Sequence, residues 1–286
     1  MFNNDNKILA CIDGSQYSQS VCDYAAWISQ RTGAPLQLLH NLEHTSSASS
    51  ADLSGAIGLG SRDTLLQELT EVEEKRHRLM MEQGKLMLTA AKERIEQAGT
   101  KAATKQRHGS LTESLIEMEE DIRVLVLGIR GEEHEQDNHH LGAHLEATIR
   151  ALHRPILVVN SEFKVPENVM LAYDGSDASG KALEMLAQSP LFKGIPVHLV
   201  TVGEDPAGAN TLQHKANERL KASGHKVTAV TLDGRASEVL VNYQAEHNID
   251  LTLMGAFSHN RLRELVLGSL TAKVLLKSNK PLLLLR

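Results

Sequence analysis

Short, almost uninterrupted apolar runs alternate along the chain with longer segments in which apolar residues recur every three or four positions. Lys7-Ile-Leu-Ala-Cys-Ile-Asp13 is the first such run, the right length for a parallel strand buried on both faces. Val21, Ala25 and Ile28 then follow helical spacing, with Ser18 placed to cap and Gly33 and Pro35 placed to stop, so residues 18–32 are expected to form a helix. Leu36 to Leu42 is a second apolar run, which completes a strand-helix-strand unit whose crossover should be right-handed. The Ser/Ala/Gly-rich stretch from Thr45 to Ser61 breaks the pattern and is expected to be a loop.

Helical spacing returns at Asp63 and persists to Ala98 through Leu65, Leu69, Val72, Leu79, Leu86 and Ala90, with Glu71/Lys75 and Glu74/Arg78 as favourable pairs one turn apart. A helix of that length exceeds ~50 Å, so part of it should project beyond any sheet, and Gly84 is a candidate break or bend. Ala102 to His108 predicts a weaker strand, Leu111 to Glu120 a helix, and Val124 to Gly128 a strand. A charged loop to His140, a helix over 141–152 and a strand at Pro155-Ile-Leu-Val-Val159 follow.

The pattern then repeats. Val169-Met-Leu-Ala-Tyr-Asp174-Gly175-Ser176 echoes Ile8-Leu-Ala-Cys-Ile-Asp13-Gly14-Ser15, and Ile195-Pro-Val-His-Leu echoes Ala34-Pro-Leu-Gln-Leu. Leu251-Thr-Leu-Met-Gly255 echoes Val124-Leu-Val-Leu-Gly128, and Lys280-Pro-Leu-Leu-Leu-Leu echoes Arg154-Pro-Ile-Leu-Val-Val. Asp174 follows Asp13 by 161 positions, whereas Gly255 follows Gly128 by 127, so the first copy carries 34 extra residues, placed at about 45–82. Two tandem domains are expected, 1–161 and 166–286, joined by a polar link.

Composition narrows the function. The 286 residues are 41% hydrophobic and 23% charged, an ordinary globular balance, and a net charge of −6 offers no general attraction for nucleic acid or anionic membrane. No apolar run reaches the ~20 residues of a spanning helix and the first residues lack a signal-peptide core, so neither membrane insertion nor secretion is expected and a cytoplasmic location is. Two cysteines make no disulfide framework, and Cys11 and Cys22 are expected to be small buried hydrophobes. His134, His139, His140, His144 and His153 match no zinc spacing and read as a solvated region, so no functional metal is expected there.

The candidate chemistry lies at residues 253–270. An apolar run ends at Gly255, a loop carrying His259, Arg261 and Arg263 follows, and Gly268-Ser269 opens a helix. Unpaired N–H groups and the positive dipole end of a helix, approached through glycine, suit a phosphate.

A strand ending in Asp-Gly-Ser, a later strand ending in glycine, a polar loop, Gly-Ser before a helix and a Pro-led final strand together resemble the universal stress protein family, over both halves. The resemblance implies two tandem doubly wound α/β folds. Each would be an open parallel five-stranded sheet of order 3-2-1-4-5, of the nucleotide-binding α-hydrolase type. It also implies that the last strands, residues 155–160 and 281–286, pair within the chain to make a pseudo-dimer. The family's nucleotide signature is glycine, two residues, glycine, nine residues, then Gly-Ser or Gly-Thr. Gly255 and Gly268-Ser269 match it with Ser258 at the second glycine, where a hydroxyl can itself donate to phosphate. In the first half Gly128 and Gly131 are followed by ten residues before Gly142, Ala143 replaces the hydroxyl residue, and the loop from Glu132 to Asp137 is acidic.

The resemblance therefore implies ATP or another adenine nucleotide, with or without magnesium, bound mainly in the second half. Adenine would lie near Ala172, Tyr173, Asp174, Gly175, Ser176 and Val202, and ribose and phosphates near Met254, Gly255, Ser258, His259, Gly268, Ser269 and Leu270. A regulatory stress-response role follows, with at most slow ATP hydrolysis or self-phosphorylation, since no general base stands beside the phosphate loop. Two alternatives stay open: an enzyme of the related hydrolase class acting on an adenylated or phosphorylated small molecule, and a ligand-free interaction scaffold. The long first-half helix adds the expectation of a homo-oligomer or a protein partner.

Overall fold

A computed structural model describes residues 6–43, 59–131, 141–203, 206–256 and 269–286. The first half runs β1 (Lys7–Cys11), α1 (Ser18–Thr32), β2 (Leu36–Leu42), α2 (Leu59–Gln97), β3 (Ala102–His108), α3 (Leu111–Glu117), β4 (Ile122–Gly128), α4 (Ala143–Ala151) and β5 (Ile156–Val159). The second half repeats the alternation: β6 (Val169–Ala172), α5 (Asp177–Gln188), β7 (Val197–Val202), α6 (Pro206–Ala222), β8 (Val227–Leu232), α7 (Ala236–Glu246), β9 (Leu251–Gly255), α8 (Ser269–Lys277) and β10 (Leu282–Leu285).

All ten strands join one sheet of order β3-β2-β1-β4-β5-β10-β9-β6-β7-β8. Within each half every pairing is parallel, which gives the order 3-2-1-4-5 twice. The halves meet where β10 pairs antiparallel with β5, Leu282 opposite Val158, Leu283 opposite Leu157 and Leu284 opposite Ile156. Both strands are buried at every position, so helices must cover the two faces and an uninterrupted Ile/Val/Leu run is the right sequence for them. Pairing them also removes two edges that would otherwise present open, wholly apolar strands to other chains.

Two helical layers flank the sheet. Ile8, Ala10, Leu36 and Leu38 pack with α1 and with Leu88 and Ile95 of α2, and the same apolar layer continues into the second half through Leu183, Leu186, Phe192 and Leu220. Leu9, Leu39, Leu125 and Leu127 face the other way, with Leu115, Leu145 and Ile149, and that layer continues through Leu240, Val274 and Leu275. Alternate residues of one strand thus feed different layers, as the two-residue period of a strand requires. The link and the second half are both tied to α1: Tyr24 meets Phe163 of the link edge-on at 4.8 Å, and the Arg31 guanidinium donates to the Leu191 carbonyl of the second half at 3.1 Å.

Helix α2 differs from the sequence expectation in two respects. It begins at Leu59, so much of the first half's extra length is helix: α2 has 39 residues against 17 in α6, its counterpart. Gly84 does not interrupt it. A Cβ there would sit 2.4 Å from Cδ2 of His40, whose ring is buried with Nδ1 donating to the Ile12 carbonyl at 2.9 Å. The glycine is the point at which the helix lies directly on β2, and a pinned ring cannot give way to a methyl group.

The link between the halves is held by Asp250, whose carboxylate is buried and accepts from Lys164 Nζ at 2.8 Å and from the backbone N–H groups of Glu167 at 2.9 Å and Asn168 at 3.3 Å. Burial alone would raise its pKa, but these hydrogen bonds and the Lys164 charge outweigh it and hold the group below its ordinary value. A folded pKa below the unfolded one stabilises the fold above the unfolded pKa, and the contribution is lost as pH falls through the folded value. Asp250→Asn should cost about 1–3 kcal/mol at neutral pH through its weakened acceptors. In urea melts, the gap between wild type and variant should be full above about pH 4 and shrink on acidification below it.

Candidate functional site

In each half the chain leaves two adjacent strands in opposite directions. The connection from β1 leads outward to β2 and that from β4 leads inward to β5, while β6 and β9 repeat the arrangement. Beyond the carboxyl ends of such a pair the connections diverge and leave a crevice, the usual ligand position in an open parallel sheet. Both halves have one.

The second-half crevice encloses about 570 Å³, its open mouth included. Ala172, Tyr173 and Asp174 from the end of β6, Val202 from β7, and Met254 and Gly255 from β9 line it, together with Leu270 at the start of α8. Its floor is apolar. Val200, Ala236, Leu240 and Thr271 line it as well and were missed in the sequence. Ala236 and Leu240 belong to α7, which no phosphate motif marks, whereas Val200 could have been found from the two-residue alternation of β7 toward Val202.

The polar groups at this end are placed by local turn and cap chemistry. The Asp174 carboxylate accepts from the Ser176 N–H at 3.0 Å, closing a tight turn at Gly175, and Ser176 Oγ accepts from the Ser179 N–H at 3.1 Å to cap α5. Gly175 and Ser176 therefore serve the turn and the cap and do not line the crevice among the described residues. Asp13 makes the equivalent turn, accepting from the Ser15 N–H at 3.0 Å and from the Ser18 hydroxyl at 3.2 Å. Burial, and then the neighbouring Asp174 carboxylate, raise the Tyr173 phenol above its ordinary pKa, so it stays a neutral donor.

Gly255 has a packing role: a Cβ would fall 2.9 Å from the Ala178 Cβ, so only glycine lets the first turn of α5 close on the end of β9. Thr271 Oγ1 donates to the carbonyls of Gly255 and Ala256, at 3.2 and 3.1 Å, and fastens the first turn of α8 to that strand. The N-terminus of α8, which begins at Ser269, is thereby held at the crevice, where the backbone N–H groups of its first turn lack helical acceptors. Ser258, His259 and Gly268 lie outside the described residues.

The first-half crevice is larger, about 1210 Å³. Cys11, Leu39, Leu127 and Leu145 supply apolar lining, Arg130 is buried beside it, and Met80 of α2 and Glu43 complete the outer wall. Glu43 accepts from the Leu111 N–H at 3.0 Å and lies 3.3 Å from His144 Nε2. Size thus favours the half whose loop chemistry departs further from the nucleotide signature. Of the histidines considered for metal, His144 and His153 each lie beside a single glutamate, and the other three fall outside the described residues. Among the described residues no group of three metal-ligating side chains comes together, and no helix is long and apolar enough to cross a membrane.

This architecture, two doubly wound sheets with a crevice at each switch point, defines a class of α/β ligand-binding proteins. The chain belongs to the universal stress protein family, whose profile matches residues 6–160 and 203–286. It is 38% identical to universal stress protein Slr1230 of Synechocystis sp. over 285 residues, which cover 98% of this chain and 99% of that protein. In fold it is similar to a universal stress protein from Archaeoglobus fulgidus, with a TM-score of 0.70 at 19% identity, covering 100% of this chain and 97% of that one. It is similar also to a putative universal stress protein from Pseudomonas aeruginosa, with a TM-score of 0.62 at 15% identity and coverage of 98% and 92%.

Neither cysteine is poised for chemistry. Burial, with Asp13 adding to it, pushes the Cys11 thiol up to about 12, and burial does the same for Cys22, with Asp23 adding to it and Arg94 opposing. In the folded protein at about pH 8 both should resist iodoacetamide, because the thiolate is the reactive form, and both should label after denaturation. Peptide mass spectrometry checks this.

Proposed function

We propose that this protein is an adenine-nucleotide-binding stress-response regulator of the cytoplasm, with its main ligand in the second-half crevice. On this reading residues 1–161 and 166–286 are its two domains. The observation that carries the proposal is the fastening of the α8 N-terminus to the end of β9, beside the apolar floor formed by Val200, Val202, Leu240 and Met254. A flat, weakly polar base suits that floor, and the first-turn N–H groups suit an anion a few ångströms away. Ser258, His259 and Gly268 stand in the sequence between the two, where the phosphate end would run. Such a site binds without needing a general base, which fits a regulatory module better than a turnover enzyme.

A second reading puts the nucleotide in the first-half crevice. The larger volume and the buried Arg130 beside it favour this.

Calorimetry with ATP, ADP and AMP on the full chain and two glycine variants separates the readings. Gly142→Val is a fair control, because a Cβ at Gly142 meets its nearest neighbour at 3.4 Å, an ordinary contact. The expected result is one nucleotide per chain, lost on Gly268→Val and kept on Gly142→Val. Loss on Gly142→Val alone would move the ligand to the first half, and no binding to wild type would leave the scaffold reading.

A further inference from the structure

Helix α2 carries a second apolar face that no described residue covers. Its inner face packs on β2, β3 and α1 through the buried Gly84, Leu88 and Ile95. Val72, Leu79 and Leu86 are 64%, 56% and 72% exposed, and Leu69 is 49% exposed. At about 100° per residue, with Leu79 set at zero, Val72 and Leu86 fall at about +20° and −20°, whereas Gly84, Leu88 and Ile95 fall at about 140–180°. The stripe is therefore on the opposite side of the helix from the body, and its seven-residue spacing is that of a coiled-coil seam.

Toward its N-terminal half the helix meets the body along one side only, where Glu73, Arg76 and His77 line a crevice with Leu42, Glu43 and His108. Every residue from 67 to 79 is exposed, with one side in contact through the His77 and His108 rings, 5.3 Å apart. Little of that stretch is buried, and burying an apolar stripe is the ordinary way a helical segment gains stability beyond its propensity.

We propose that two copies of this chain associate through antiparallel pairing of their α2 helices, centred near Leu79. Charge selects both the occupant and the direction. Lys75 and Glu82 lie on the same flank of the stripe, at about −40° and −60°. A two-fold axis perpendicular to the helices at Leu79 brings Lys75 within one residue, about 1.5 Å along the axis, of the level of Glu82 of the partner subunit, and the symmetry makes that contact twice. Val72 then meets Leu86 of the partner subunit, and the two copies of Leu79 meet at the centre. A parallel pairing in register would instead set Lys75 level with Arg76 of the partner subunit, like against like. The body attaches through residues 80–97, so in the antiparallel arrangement the two bodies sit at opposite ends of the helix pair and on opposite sides of it.

Sedimentation equilibrium of the full chain tests this. Wild type should be a dimer, and Leu79→Glu should be a monomer that still folds, melting where wild type melts when diluted below its dimer Kd, since Leu79 is exposed and outside the core. Lys75→Glu and Glu82→Lys should each raise the dimer Kd by about tenfold, and the double exchange Lys75→Glu/Glu82→Lys should restore it. A monomeric wild type at tens of micromolar, a Leu79→Glu variant that still dimerises, or a double exchange no tighter than either single change would each overturn the proposal.

Discussion

The antiparallel pairing of β5 with β10 is the contact on which the rest of the arrangement depends. It joins two parallel five-stranded sheets into one ten-stranded sheet and buries two wholly apolar strands that neither half could leave at an edge. Its direction has a further consequence. Because the two last strands run in opposite senses, the carboxyl ends of the strands point one way in the first half and the other way in the second. The two crevices therefore open at opposite ends of the sheet, and a ligand in one has no direct contact with a ligand in the other. Any coupling between them has to pass through the shared apolar layers.

The halves have diverged around that shared frame. Asp13 and Asp174 make the same tight turn, and Gly128 and Gly255 both bring a strand end against the helix or loop beyond the first strand, near Tyr17 and Ala178. These are the parts that hold the sheet ends together, whether or not a ligand is bound. The difference lies in what surrounds the crevices. The first is wide and walled partly by Met80 of the long helix, whereas the second is narrower and bounded by an anchored helix N-terminus. The extra length of α2 begins next to the wider one.

Much of this was legible in the sequence. The echo of Ile8–Ser15 in Val169–Ser176 and the Pro-led final strands give the tandem repeat, the strand order by resemblance and the internal pairing, because strands buried on both faces leave apolar runs that are hard to mistake. Ala172, Tyr173, Asp174, Val202, Met254, Gly255 and Leu270 come together at one crevice because all lie at the ends of strands or the start of a helix, and sequence motifs mark ends well. Leu240 and Thr271 were not legible because they reach the crevice from within helices, where only the packing angle decides which residue faces inward. Gly84 was misread for a related reason: sequence shows the helix-breaking tendency of glycine, while the His40 ring that requires it is far away along the chain. The outer stripe of α2 is visible as spacing, but that it faces solvent is known only once Leu88 and Ile95 are seen to face the sheet.

The central claim is that this sheet holds an adenine nucleotide. Mass spectrometry of the small molecules released when the purified protein is denatured tests it most directly. The account predicts an adenine nucleotide in the released fraction, with a higher melting temperature when ATP, ADP or AMP is added back to the stripped protein. A protein that releases a different compound, or that releases nothing and melts at the same temperature with all three nucleotides, would contradict it.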